Sequence, residues 1–308
     1  MSGRTELGVR VGLAGGTQRT TIDSVRADVR HAADAGYDSY WLSFVAGVDP
    51  LVALAVVAAD SGNLELGTSV VPTVGRHPIA LGQLARTTQQ ACDGRFTLGI
   101  GPSHQVVAEA LYGEPWERPL QRTSEYLTSL GALCRGEASS LNGEQITAHQ
   151  TLNIPCEPVP VVLAALGPRM LELAGRETAG THVGQTGPKT IASHTAPIIN
   201  EVAAAAGRPA PRIIALVNVC VTDDPDALRE FARPGSAGYA ALPSYRAMLD
   251  REGVDDAVDL VLAGSMEEIA DGLASYVTAG ATDLRIGVVA PDDDLRSRTL
   301  DALADWLA

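Results

Sequence analysis

Residues 64–101 read LELGTSVVPTVGRHPIALGQLARTTQQACDGRFTLGIG. Two short apolar runs, 64–71 and 95–101, flank a stretch, 78–92, that opens on Pro78 and reads as a helix. Asp93-Gly94 turns the chain into the second run. A strand, a crossover helix and another strand make a parallel unit, because parallel neighbours need a connection long enough to return to the same end of the sheet.

The same rhythm extends in both directions. Upstream, a first strand over 7–13 ends at Gly15-Gly16, and a helix over 21–35 follows. Ile22, Val25, Val29 and Ala32 recur there at three- and four-residue steps, and Gly36 stops it. A second strand spans 37–43, with a helix over 50–60. Downstream of the fourth strand a long loop leads to a helix over 120–134. Residues 136–160 break the rhythm: Asn142-Gly143, a tight-turn signal between alternating residues, predicts an inserted β-hairpin. Strands five and six fall at 161–165 and 181–185, with helices over 168–178 and 188–206. Strand seven covers 212–221, and the mostly helical stretch 224–259 is longer than a crossover needs. A helix over 266–279, an eighth strand over 283–289 and a terminal helix carrying Leu295, Leu300, Leu303 and Trp306 complete the chain. Eight strands, each followed by helix and with no Pro-, Gly- or Ser-rich linker, predict one α/β domain over 1–308. Its architecture is a (β/α)8 TIM barrel with a hairpin insertion after the fourth unit and a helical one after strand seven. The length of 308 residues suits such a barrel, which needs about 250.

Hydrophobic residues make up 45% of the chain and charged ones 19%, as in a packed globule. Aromatics are only 4%, so Ala, Val, Leu and Ile must fill the core. The net charge of −14 repels a phosphate backbone and argues against nucleic acid as a partner. It leaves room for one small anionic ligand, which a few local donors can hold. Cys92, Cys134, Cys156 and Cys220 form no C-x-x-C pair or metal-ligand spacing, so free thiols in a reducing compartment are expected, with no metal. No stretch of 18 uninterrupted apolar residues occurs and residues 1–11 do not read as a signal peptide, so a cytoplasmic protein without a membrane span is expected.

In a barrel of this kind ligands meet the loops after the strands. Here those loops begin with small residues: Ser69, Val70 and Val71 end strand three, Gly101 to Ser103 strand four, Ala165 to Gly167 strand five, Gln185 to Gly187 strand six. Small side chains let a flat ligand approach the backbone. Gly167-Pro168-Arg169 and Gly187-Pro188-Lys189 each open a helix, where unpaired amides attract anions. Thr186 is placed to cap the second. Lys189 is the chain's single lysine, in a first helical turn where a cation is unfavourable unless an anion sits beside it. A bound phosphate and an ordinary capped helix with an exposed lysine both fit. His104, after strand four, is a candidate proton donor or ring contact, or an exposed loop residue. His77 has the weaker claim of the two, and His31, His149, His182 and His194 read as structural or exposed. HExxH, GxSxG, Walker A and an early GxGxxG are absent.

Four motifs carry a resemblance. AGYDSYWLS (35–43), GTSVVP (67–72) with RHPIAL (76–81), GRFTLGIG (94–101) and ALGPRML (165–171) with Ala174-Gly175 are similar, in order and spacing, to the luciferase-like flavin and deazaflavin oxidoreductases. The tract LPSYRAM (242–248) resembles the branch that uses coenzyme F-420. The resemblance implies a cis peptide at Ser69-Val70 behind the cofactor ring, contacts from Ser43, Val71, Gly101, Ser103 and His104, and a phosphate-bearing tail near Ala165, Leu166, Gly167, Pro168, Arg169, Gln185, Thr186, Gly187 and Lys189. It also implies a homodimer. Where sugar-dehydrogenase relatives carry an Asp-His pair, this chain has SFVAG (43–47), which disfavours alcohol oxidation and favours reduction of an activated C=C or C=N bond of a small molecule. His104, Tyr245 or water would then give the proton. An FMN-dependent monooxygenase and a non-catalytic flavin-binding barrel are the alternatives.

Overall fold

The computed structural model describes residues 7–16, 19–44 and 46–308. Its strands close into a ring. Strand one (Arg10–Ala14) pairs in parallel with strand two (Ser39–Leu42), which pairs with strand three (Glu65–Thr68). Strands four (Phe96–Gly101), five (Val161–Ala164), six (Gly180–Val183) and seven (Arg212–Val221) continue the order. Strand eight (Asp283–Val288) joins seven to one, so the barrel is complete. Leu66, Leu98, Leu284 and Ile286 point outward into the apolar layer beneath the helices.

The barrel's inside is packed by one large ring. Trp41 is fully buried, and its indole nitrogen donates to Ser39 Oγ at 2.8 Å. A Cβ at Gly12 would lie 2.9 Å from the indole and one at Gly67 only 2.2 Å from it, so both neighbouring strands present glycine to the ring. Below it the Arg212 guanidinium sits 5.5 Å from the ring centre and pairs with Glu65 at 2.7 Å and Asp283 at 2.5 Å, which closes the end of the barrel where the strands begin. The other end is left for ligands.

The helices follow the expected pattern, with differences that have physical causes. Ile22–Asp34 is capped by Thr21, and Pro78–Ala91 by His77, whose Nδ1 accepts from Ile79. His77 Nε2 also meets the Thr147 carbonyl at 3.1 Å, so this histidine is a structural tie. The hairpin is present as Ser139–Asn142 and Thr147–Gln150, but Asn142 pairs with Thr147 and residues 143–146 form the loop. Glu125 organises that loop by accepting from the amides of Glu144, Gln145 and Ile146, so Asn142-Gly143 is not itself the turn. The stretch expected as a long loop after strand four holds a helix, Gln105–Tyr112, ended by Gly113 at φ 66°. The helix expected over 188–206 is Pro188–Thr190, a π-turn (Ile191–Thr195) and Ala196–Ala205. The insertion after strand seven comprises Pro225–Ala240, Pro243–Glu252 and a 3-10 turn at Ala257–Leu260, and a short strand, Leu262–Gly264, flanks strand seven outside the barrel. All four cysteines are free. Among the described residues no helix is long and apolar enough to cross a membrane.

The glycine floor gives a direct test. Gly67→Ala must push a methyl into the indole and should lower stability by about 1–3 kcal/mol in urea denaturation. Gly167→Ala, whose Cβ would meet nothing within 4 Å, should change it by no more than about 0.5 kcal/mol. Equal costs would refute the packing account.

Candidate cofactor and active site

The mouth is organised around one carbonyl. The Ser69-Val70 peptide bond is cis, as the motif resemblance implied. The Ser69 carbonyl accepts from Ser43 Oγ at 2.7 Å and from Arg285 Nη1 at 3.0 Å, and the same nitrogen contacts the Ser69 hydroxyl. On the strand-four side, Thr68 Oγ1 donates to the Gly99 carbonyl and accepts from the Gly99 amide, both at 2.8 Å. The backbone at this point is thus fixed from strands two, four and eight together. Val71 and Pro72 then resume pairing with Ile100 and Gly101. A Cβ on Gly101 would come within 3.0 Å of Val70 and 3.3 Å of Ala164, so the mouth is narrow and lined by small groups.

Of the four described non-glycine residues with left-handed backbone, Asp93, Ser103, Arg118 and Gln185, two stand at the mouth: Ser103 at φ 70° and Gln185 at φ 50°. Both directly follow the barrel strands at which cofactor contacts were expected, and such conformations concentrate at functional sites. Next to Ser103, His104 begins the helix Gln105–Tyr112 without a side-chain cap. Its ring lies 5.4 Å from that of Tyr245, and Tyr245 meets Tyr239 edge-on at 5.0 Å. The two expected catalytic residues, distant in sequence, are therefore neighbours, and the insertion after strand seven roofs the mouth. Burial lowers the His104 pKa below the usual histidine value, so the neutral imidazole prevails at neutral pH. Burial pushes the Tyr245 phenol up to about 12, so it keeps its proton.

The two candidate anion-binding helix starts differ. Gly167, Pro168 and Arg169 are exposed, and among the described residues no side chain caps the helix Pro168–Glu177 and nothing stands within 4 Å of a Cβ at Gly167. Behind them Ala165 is buried, and His194 Nε2 ties down the Leu166 carbonyl at 2.8 Å. At the second start the protein supplies its own anion. Glu252 accepts from the amides of Lys189 at 3.2 Å and Thr190 at 2.8 Å, and a Cβ on Gly187 would collide with its carboxyl. Lys189 is exposed, its ammonium 3.5 Å from the Glu252 carbonyl. Thr186 is not the cap expected there: it turns inward, its hydroxyl donating to the Gly184 carbonyl at 3.0 Å, and Gly187 takes the cap position.

One residue of the mouth was missed. Arg285 starts in mid-strand eight and reaches the mouth with 7% of its surface open. His182, on strand six, packs edge-on against Trp41 with ring centres 4.9 Å apart. A signal for Arg285 existed: in DLRIGV (283–288) period-two alternation puts it on the face opposite Leu284 and Ile286, inside the barrel. Burial lowers its pKa to about 10, which leaves it charged at neutral pH. Burial, then Arg285 and Arg212, hold His182 far below the usual histidine value. Among the described residues no group of three His, Cys, Asp or Glu is placed to hold a metal.

Comparison with known proteins fits this geometry. Residues 6–283 match the family model described as luciferase-like monooxygenase. The chain is 25% identical over 280 residues to a 5,10-methylenetetrahydromethanopterin reductase of Methanolobus tindarius, covering 88% of this chain and 84% of that one. It is 31% identical over 264 residues to an F-420-dependent glucose-6-phosphate dehydrogenase of Beutenbergia cavernae, covering 80% and 75%. The solved structure of a coenzyme F-420-dependent tetrahydromethanopterin reductase from Methanopyrus kandleri shares the fold, with a TM-score of 0.81, 19% identity and 97% and 98% coverage.

The buried histidines predict a pH dependence. A base whose folded pKa is depressed stabilises the fold above its unfolded pKa and loses that contribution as pH falls below it. Unfolding free energy should therefore drop between about pH 6.5 and pH 5, by up to roughly 1.4 kcal/mol per pH unit for His182 alone. His182→Gln should flatten that slope in urea titrations, and an unchanged slope would refute the assignment.

Proposed function

Because the chain belongs to the luciferase-like monooxygenase family, we propose that it is an oxidoreductase in which reduced coenzyme F-420 gives a hydride to an activated C=C or C=N bond of a small organic substrate. The observation that carries this reading is the Ser69 carbonyl, fixed by Ser43 and Arg285 under a mouth of small residues and beneath an aromatic roof. Ring systems of this kind need such a flat, close approach. Relatives named as a methylenetetrahydromethanopterin reductase and an F-420-dependent dehydrogenase support the choice of cofactor. Ser43 and Phe44 stand where an acid–base pair for alcohol oxidation would be, with Val45 outside the described residues, and this favours reduction.

The chain's own groups orient, exclude water and move one proton. Ser69, Val70, Val71, Gly101 and Ser103 form the surface against which a planar ring lies, and His104 borders it. Gly167, Pro168 and Arg169 present the open helix start for a phosphate-bearing tail, with Ala165 and Leu166 behind. Gln185, Thr186, Gly187 and Lys189 form the neighbouring edge. Hydride addition at one end of the double bond leaves an electron pair at the other, which must take up a proton. Tyr245 holds one throughout the neutral range, whereas His104 carries one only on acidification. The roof keeps water from the mouth. The free thiols suit the cytoplasm.

The surface supports a homodimer. Val52, Ala55, Val56 and Ala59 form an apolar stripe on and just beyond the helix Pro50–Val57, with Val52 and Val56 half exposed. The adjacent helix Pro78–Ala91 exposes Ala80, Gln83, Leu84, Thr87, Gln90 and Ala91, none of them charged. A charge-free face on a chain of net charge −14 is what a contact between like copies requires, since like-charged faces would repel.

Fluorescence titration with F-420 and separately with FMN tests the cofactor. We expect F-420 to bind more tightly, Arg169→Ala to weaken it about tenfold, and Lys189→Ala to weaken it less. Preference for FMN would make the protein an FMN-dependent monooxygenase, and binding of neither would overturn the function. Light scattering should show a dimer that Val56→Asp converts to monomer, and a wild-type monomer would overturn the assembly.

A further inference from the structure

Arg285 is a buried cation without a counter-ion among the described residues. Among the described residues its hydrogen bonds both run from Nη1 to Ser69, and no carboxylate pairs with it. Nε is buried and has no partner. The edge of the guanidinium formed by Nε and Nη2, the edge that fits the two oxygens of a carboxylate, is thus unused. The groups around it do not balance its charge. Tyr239 and Tyr245 are phenols in the roof, and His182 is a histidine that burial keeps neutral. Burying a guanidinium against neutral acceptors alone costs free energy that a bound anion would restore.

We propose that Arg285 is the counter-ion for a carboxylate on the substrate, so that this mouth takes conjugated organic acids. The inference rests on the oxidoreductase reading for the location of the reacting bond, and it adds the substrate class. The acid group docks on the Nε–Nη2 edge at the floor. Its unsaturated portion then extends beneath His104, Tyr245 and Tyr239, between that roof and the ring surface at Ser69. Substrate charge is selected locally, against a net charge of −14 that disfavours anions over the surface as a whole.

The test uses two probes of one shape, cinnamate and cinnamamide, titrated calorimetrically into the full chain with F-420 present and again without it. Wild type should bind the acid about tenfold more tightly than the amide, as expected for a charge-assisted bidentate contact. Arg285→Met should bring the ratio close to one, and Arg285→Lys should keep part of it. F-420 affinity should fall less than the acid preference, because the Ser43 hydroxyl still holds Ser69. Ligand-free Arg285→Met should melt no lower than wild type, since an uncompensated charge has been removed. A ratio near one in wild type, or a ratio that survives Arg285→Met, would overturn the proposal. So would a loss of F-420 binding in Arg285→Met without any acid preference in wild type, which would assign the cation to the cofactor. Failure of wild type to bind F-420 would count against the oxidoreductase reading instead, while the cofactor-free titration would still decide the carboxylate.

Discussion

The indole of Trp41 sets the level at which everything else in the barrel is built. A ring of that size fits inside only because Gly12 and Gly67 give up their side chains to it and Ser39 takes its N–H. Close packing then turns a cylinder of eight strands into a vessel with a solid base and a shallow upper compartment. Beneath the ring, Arg212, Glu65 and Asp283 close the lower end with paired charge. Above it lie Ser43, two residues past Trp41 and just beyond strand two, and Ser69, two residues past Gly67 and just beyond strand three. The period of two in a strand carries the floor and the mouth on the same inward face.

Much of this was legible in the sequence, and the parts that were not share a cause. Strand seven was read to the residue, and helices such as Met266–Thr278 to within one position, because their apolar spacing is local information. The helix Gln105–Tyr112 was missed because it buries only Ala108 and leaves Val106 and Leu111 exposed, so its residues show no core-facing stripe. The hairpin was found from Asn142-Gly143, yet its loop is shaped by Glu125, a partner from a helix well before it. Arg285 escaped because the barrel rule points to residues after the strands, whereas a long side chain rising from mid-strand reaches the same place.

The same limit governs the anion sites. Gly167-Pro168-Arg169 and Gly187-Pro188-Lys189 are alike as sequence, and both promise free amides. Whether those amides are free depends on what the rest of the chain brings to them. Among the described residues nothing comes to the first, and the second receives a carboxylate from a helix more than sixty positions away. Local chemistry identified what each helix start can bind, but only the fold reveals which is already occupied.

Glu252 also ends the helix that begins near Tyr245, with Met248 one turn before it accepting from the Thr190 hydroxyl. One short helix therefore joins the roof of the mouth to the edge of strand six. An external anion at the amides of Lys189 and Thr190 would have to exchange with that carboxylate, and its apparent affinity would be the difference between two contacts. By linkage, whatever strengthens the Glu252 contact must weaken that exchange, and whatever wins the amides must loosen that contact by the same free energy.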